Sequence, residues 1–170
     1  MTQEQQHFFE ALDRLGNGER AVLRRASGVM LQDANGGAIS TFYKCLPPAT
    51  ATWQENRWFA VACLSCLWDT EGGEGKPLEQ IIADLIRTDE LSASTAHRVE
   101  ILLDSKWDSD GYMLTKLARL IKLIRQKADR AKPDFAALLD DLLYWNAENQ
   151  SVQRKWARTV FSNIRDEDKE

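Results

Sequence analysis

Three observations in the sequence predict an all-α protein, a two-lobed helical bundle of eight or nine helices. Apolar residues recur with the 3.6-residue period of amphipathic helices, and no segment shows the alternation of a half-buried strand. The 170 residues include only four prolines and nine glycines, which leaves room for long helices. The breakers that do occur fall between periodic segments and leave short connections, as a bundle needs.

Residues 3–15 form the first helix, stopped by Gly16-Asn17-Gly18. A second, short helix covers "ERAVLRRASG" and ends at Gly28, and a third spans 38–46, closed by Pro47 and Pro48. The segment 53–68, "WQENRWFAVACLSCLW", is apolar on most sides and belongs in the core. "TEGGEGK" is the strongest loop signal, after which Pro77 opens "PLEQIIADLIR" at a first helical position. Ser92 is placed to cap "ASTAHRVEILLDS". A helix over about 112–131, one opening at Pro133, and a last one over 151–165 complete the chain. The expected organisation is an N-terminal lobe of residues 1–90, a C-terminal bundle of 91–165 and an acidic tail of 166–170.

An apolar fraction of 44% excludes a disordered chain. The polar, acidic start "MTQEQQHFFEALDRL" lacks the layout of a signal peptide, and no apolar run spans a bilayer. Three cysteines do not suggest a disulfide framework, so a cytoplasmic location is expected. The net charge is −4, yet residues 112–132 hold seven Lys and Arg against one acid, Asp129. Net charge governs solubility and steering, and a local patch of opposite sign can still recruit an anionic partner.

Drawn at about 100° per residue, the 112–131 helix separates cleanly into two faces. Leu114, Leu117, Leu120, Ile121, Ile124 and Ala128 make an apolar stripe, while Lys116, Arg119, Lys122, Arg125, Lys127 and Arg130 occupy the opposite side. The basic side lacks the acidic i+4 partners common on surface helices, so its like charges repel until a partner neutralises them. The last helix repeats this design, with Arg154, Lys155, Arg158 and Arg165 opposite or beside Val152, Trp156, Val160 and Ile164. Two such faces in one lobe are the footprint of phosphate binding. Arg20, Arg24 and Arg25 form a smaller cluster near the N-terminus.

The residues offer no active site. Cys63 and Cys66 have metal-like spacing but lie in an apolar helix without a second Cys/His pair, so buried thiols are expected. His7 and His97 begin no metalloprotease motif, and neither a nucleophile elbow nor a P-loop is present. Adjacent Asp140 and Asp141 point about 100° apart on a helix, which favours a helix-surface role over acid–base chemistry. A non-enzymatic protein without metal or cofactor is expected. Trp145 and Trp156 lie on the apolar faces of the last two helices and are expected to be structural.

The run "DFAALLDDLLYWNAENQSVQRKWARTVF" (134–161) resembles the C-terminal signature of the small subunit of the type I-E CRISPR surveillance complex Cascade, the CasB family. The matching positions are Asp134, Phe135, Leu138, Leu139, Asp141, Leu142, Trp145, Val152, Trp156, Ala157, Arg158 and Phe161. "HRVEILLDSKWDSDGYMLTKLARLIKLIRQK" is similar to the family's central stretch, "LGNGERAVLRRA" to its opening and "FYKCLPP" to its F-Y-x-L-[VL]-P.

The resemblance implies a non-catalytic, all-helical subunit of a ribonucleoprotein in antiviral defence. It implies contacts with crRNA, target DNA and the displaced strand, stabilising the R-loop without base readout. Its implied protein partners are the backbone and large subunits and a second copy of the chain. Residue by residue it maps nucleic-acid contacts onto Arg24, Arg25, Arg98, Arg119, Arg154, Lys155 and Arg158, to which the helical face adds Lys116, Lys122 and Arg125. Thr115, Gln126 and Asn163 stand where many relatives carry arginine. The other reading of the basic faces is a protein-interaction scaffold that docks on acidic subunits.

Overall fold

The computed structural model describes residues 1–69, 74–88, 93–128 and 131–162. Among them are nine α-helices, two single 3₁₀ turns and no β-strand beyond one isolated bridge. The all-α expectation holds.

Helix α1 (Gln3–Asp13) starts in a capping box, in which Thr2 accepts from the Gln5 amide and the Gln5 side chain accepts from Thr2 N–H. The second helix, α2 (Asn17–Arg25), begins two residues before the expected Glu19, and Gly28 follows it at φ +89°. Gly28 also lets the helix that carries Ala118 approach, because a Cβ there would sit 3.1 Å from the Ala118 methyl. Asn35 caps α3 (Gly36–Cys45), with its side chain accepting from Ala38 N–H.

Helix α4 (Glu55–Ser65) is buried on nearly every side, from Arg57 through Leu64, as expected of the central helix. It stops before the expected Trp68. Leu67 and Trp68 tighten into three-residue turns on Leu64 and Ser65, and their carbonyls turn toward arginines described below.

Helices α5 (Leu78–Arg87) and α6 (Ala93–Asp104) follow, and the expected cap Ser92 lies outside the described residues. Then come α7 (Tyr112–Lys127), α8 (Phe135–Leu143) and α9 (Ser151–Phe161). Asp134, not Pro133, caps α8. Pro133 instead pairs with Lys76 in the isolated bridge, where Lys76 N–H donates to the Lys132 carbonyl at 2.9 Å and Asp134 N–H to the Lys76 carbonyl at 2.7 Å. This strap runs so close that a Cβ on Gly75 would meet the Pro133 carbonyl oxygen at 2.7 Å, which explains a glycine at that position.

Packing runs across the middle of the chain: α4 lies on α8 and α5 on α9, while α2 packs on both α3 and α4. One hydrophobic cluster accordingly extends from Phe8 in α1 to Val160 in α9. The segments expected as two lobes share this core, and residues 89–92, which hold the expected boundary, lie outside the described residues.

Candidate nucleic-acid interface

Helix α7 buries Met113, Leu114, Leu117, Ala118, Leu120, Ile121 and Ile124, which includes the apolar stripe read from periodicity except for half-buried Ala128. Its start is set by Gly111 at φ +73° and by Asp110, whose carboxylate accepts from Tyr112 N–H at 3.0 Å. Burying that stripe leaves the basic side outward. Against it lies α6, and the two helices form a groove lined by Arg98, Ile101, Lys116, Arg119 and Leu120. Three cations thus border two aliphatic side chains, with no acid lining the groove among the described residues. Arg98 and Arg119 are exposed and have no side-chain partner among the described residues, while the Lys116 ammonium lies 5.2 Å from the Tyr112 ring centroid.

The C-terminal half of the same basic face does something else. Lys122 Nζ donates to the Ser27 carbonyl at 3.3 Å, and Arg125 Nε to the Leu67 carbonyl at 3.0 Å while lying 5.7 Å from the Trp68 ring centroid. Arg24 Nε reaches the Cys66 carbonyl at 3.1 Å, and buried Arg20 spans the carbonyls of Leu12 and Trp68 at 3.1 and 3.0 Å. Carbonyls 66, 67 and 68 at the end of α4 therefore each accept from an arginine. These are orphan groups at the negative end of a helix dipole, where cations are stabilising. Arg24, Lys122 and Arg125 bind backbone as well as contributing charge, whereas exposed Arg25 has no side-chain partner among the described residues.

On α9, Arg154 and Arg158 are exposed without side-chain partners among the described residues and line a shallow concavity with Ser151, Ala157 and Thr159. Lys155 beside them is committed inward. Its Nζ lies 2.6 Å from Asp141 Oδ1 and 3.7 Å from Glu79 Oε1, and both acids are buried. Asp141 departs from the expected surface role: it lies on the buried face of α8, where its other oxygen accepts from Trp156 Nε1 at 2.8 Å. Asp140 is exposed, as expected, and accepts from Gln5 Nε2 at 2.6 Å.

Both ends of the longer ion pair shift upward, which favours the charged form of the lysine and the neutral form of the carboxyl. Burial pulls Lys155 down, but the hydrogen bond and charge of Asp141 outweigh it and hold the ammonium above its ordinary value. Burial also pushes Glu79 above the usual carboxylate value, and Lys155 only partly opposes this. The distances explain the difference, since Lys155 belongs mainly to Asp141.

A carboxyl whose folded pKa is raised loses stability as pH climbs from its unfolded value toward its folded one. Glu79→Gln is therefore expected to become more stable relative to wild type as pH rises above 4.5, and to match it in more acidic solution. Urea midpoints for the two proteins, measured from about pH 3.5 to about pH 8, check this.

Cys63 and Cys66 are buried free thiols, as expected, and burial pushes the Cys63 thiol far up. No helix among the described residues is long and apolar enough to cross a membrane.

Of the predicted site residues, then, Arg98, Lys116 and Arg119 converge on one groove, and Arg154 and Arg158 share a second face. Arg24, Lys122, Arg125 and Lys155 are held by intramolecular partners. Sequence reasoning grouped Arg20 with Arg24 and Arg25 without foreseeing its burial, and it missed the buried cation Arg57. A signal for Arg57 exists, as it is the one charged residue inside "RWFAVACLSCLW". Its Nε donates to the Leu142 carbonyl at 2.9 Å and its guanidinium lies 5.5 and 5.4 Å from the ring centroids of Trp53 and Trp107.

The model of the family "CRISPR-associated protein Cse2" matches residues 19–161. A CRISPR-associated protein Cse2 from Thermus thermophilus is 30% identical over 103 residues, which cover 61% of this chain and 54% of that protein. The chain thus spans about half the length of the curated relative it matches. Among solved structures, CasB of M. ruber superposes with a TM-score of 0.75 at 23% identity, over 99% of this chain and 98% of that one. A Cse2-family protein from T. thermophilus also gives 0.75, at 26% identity over 95% and 99%. A chain of a CRISPR RNA-guided surveillance complex gives 0.73 at 21% identity over 96% and 97%.

Proposed function

We propose, since the chain belongs to the CRISPR-associated Cse2 family, that it serves as a non-catalytic small subunit of a CRISPR RNA-guided surveillance complex. In that setting its basic faces hold the nucleic-acid backbone and stabilise the R-loop formed by crRNA, target DNA and displaced strand. The observation that carries this reading is the groove between α6 and α7, where Arg98, Lys116 and Arg119 meet and no acid lines it among the described residues. Arg154 and Arg158 supply a second basic face on α9. Guide pairing reads sequence in such complexes, so the subunit needs phosphate contacts only.

Arg119→Glu and Arg154→Glu test it directly. Both side chains are exposed, so folding should change by no more than about 0.5 kcal/mol. Target-DNA affinity of the assembled complex should fall about tenfold or more at moderate salt. Removing one phosphate contact should also flatten the dependence of log K on log salt by about 0.9 for duplex or 0.7 for single strands. The check is target binding across a salt series, after confirming that the variant subunit is incorporated. Unchanged affinity and slope would remove the nucleic-acid role, and failure to incorporate would assign these arginines to docking on acidic subunits.

A further inference from the structure

Tyr112 opens the basic helix α7 with 51% of its surface exposed, one of few large aromatic side chains on the outside of the described structure. It stands at i, i+4 and i+7 with Lys116 and Arg119, so the three share one helical face. Lys116 lies over the Tyr112 ring, and both Lys116 and Arg119 line the groove whose floor is Ile101 and Leu120. A site for phosphate alone has no use for an aliphatic lining or for an exposed aromatic ring on the same helical face as its cations. An unpaired nucleobase has a use for both, because every base presents a flat, apolar face to stack on while its phosphate meets the cations.

We infer that Tyr112 is a base-stacking residue, and that the α6–α7 groove binds unpaired nucleotides through their bases as well as their phosphates. This rests on the nucleic-acid reading above and adds a base-dependent contact to it. Stacking of this kind tolerates any sequence, which is consistent with a subunit that does not read bases. Duplex DNA, whose bases are stacked on one another, gains nothing from it.

The test compares a labelled oligothymidine with an abasic oligomer of equal length, by fluorescence anisotropy with the full chain at low salt. Wild type is expected to hold the base-bearing strand more tightly. Tyr112→Ala should weaken oligothymidine binding about five- to tenfold, down to the abasic level, and leave abasic binding unchanged. Tyr112→Phe, which keeps the ring, should retain the preference. Trp53→Ala is the control, since Trp53 is 62% exposed but stacks on Arg57, away from the groove lining, and should leave the preference intact. Arg119→Glu should weaken both ligands equally.

Equal wild-type affinity for the two strands, or a Tyr112→Ala effect shared equally by both, would overturn the stacking role. In either case sensitivity of the abasic strand to Arg119→Glu would leave the backbone reading standing. If neither strand is held, both readings fall.

Discussion

Trp156→Ala is expected to cost about 3–5 kcal/mol of folding stability, the range for truncating a fully buried large aromatic. The indole is fully buried between α8 and α9, edge-on to Trp145 with ring centroids 5.4 Å apart. Its Nε1 donates to Asp141, which also holds Lys155, so the truncation removes both packing volume and a donor to a buried carboxylate. Trp145 is anchored in the same way from the other side, with Nε1 donating to the Ser105 carbonyl at 2.9 Å. Trp156→Phe keeps the ring contact and loses the donor, so it should fall between wild type and alanine. Urea unfolding of the three proteins checks the order. A Trp156→Ala protein as stable as wild type that no longer binds DNA would reassign the indole from packing to ligand contact.

Arg57→Ala should cost about 2–4 kcal/mol, an unusual loss for a charged residue near a protein surface. Arg57 is 8% exposed, its guanidinium lies within 5.5 Å of two indole centroids, and burial pulls its pKa down. Removing it leaves the Leu142 carbonyl with the long 3.4 Å bond from Trp145 N–H and deprives Trp53 and Trp107 of the cation beside them. Arg57→Lys should recover only part of the loss, since an ammonium cannot stack in the slot with a plane matching both rings. Thermal or urea denaturation of the pair of variants, compared with exposed Arg25→Ala as a charge-matched control, reads the effect. Equal stability of all three would mean that the stack contributes nothing.

The helices are legible because their signals are local. Glycines 16, 18 and 28, Pro47 and the apolar period on α7 depend on neighbours within a turn or two, and the structure follows them to within a few residues. The end of α4 is not legible, since its last carbonyls are satisfied by arginines from α2 and α7, 42 to 58 residues away in sequence. The same distance problem divides the candidate site. Periodicity assigns Lys116, Arg119, Lys122 and Arg125 to one basic side, but nothing within α7 tells that the first two face an open groove and the last two face carbonyls. Asp141 misleads for the complementary reason. Within α8 it only borders the apolar stripe beside Leu138, and the packing of α9 supplies the indole and ammonium that make a buried carboxylate tolerable.

The arginine-bound turn at Cys66–Trp68 couples parts of the molecule that secondary structure keeps separate. Its three carbonyls are held from α2 by Arg20 and Arg24 and from α7 by Arg125, and Lys122 ties α7 back to the end of α2. Lifting any one of these helices breaks hydrogen bonds that tie it to the other two, which couples their opening. The three helices therefore form one cooperative unit, which opens together or not at all. The groove residues Lys116 and Arg119 stand on the N-terminal half of α7, upstream of that junction. Their positions relative to one another rest on that junction, so a strand bound as proposed would meet cations whose spacing is set before it arrives.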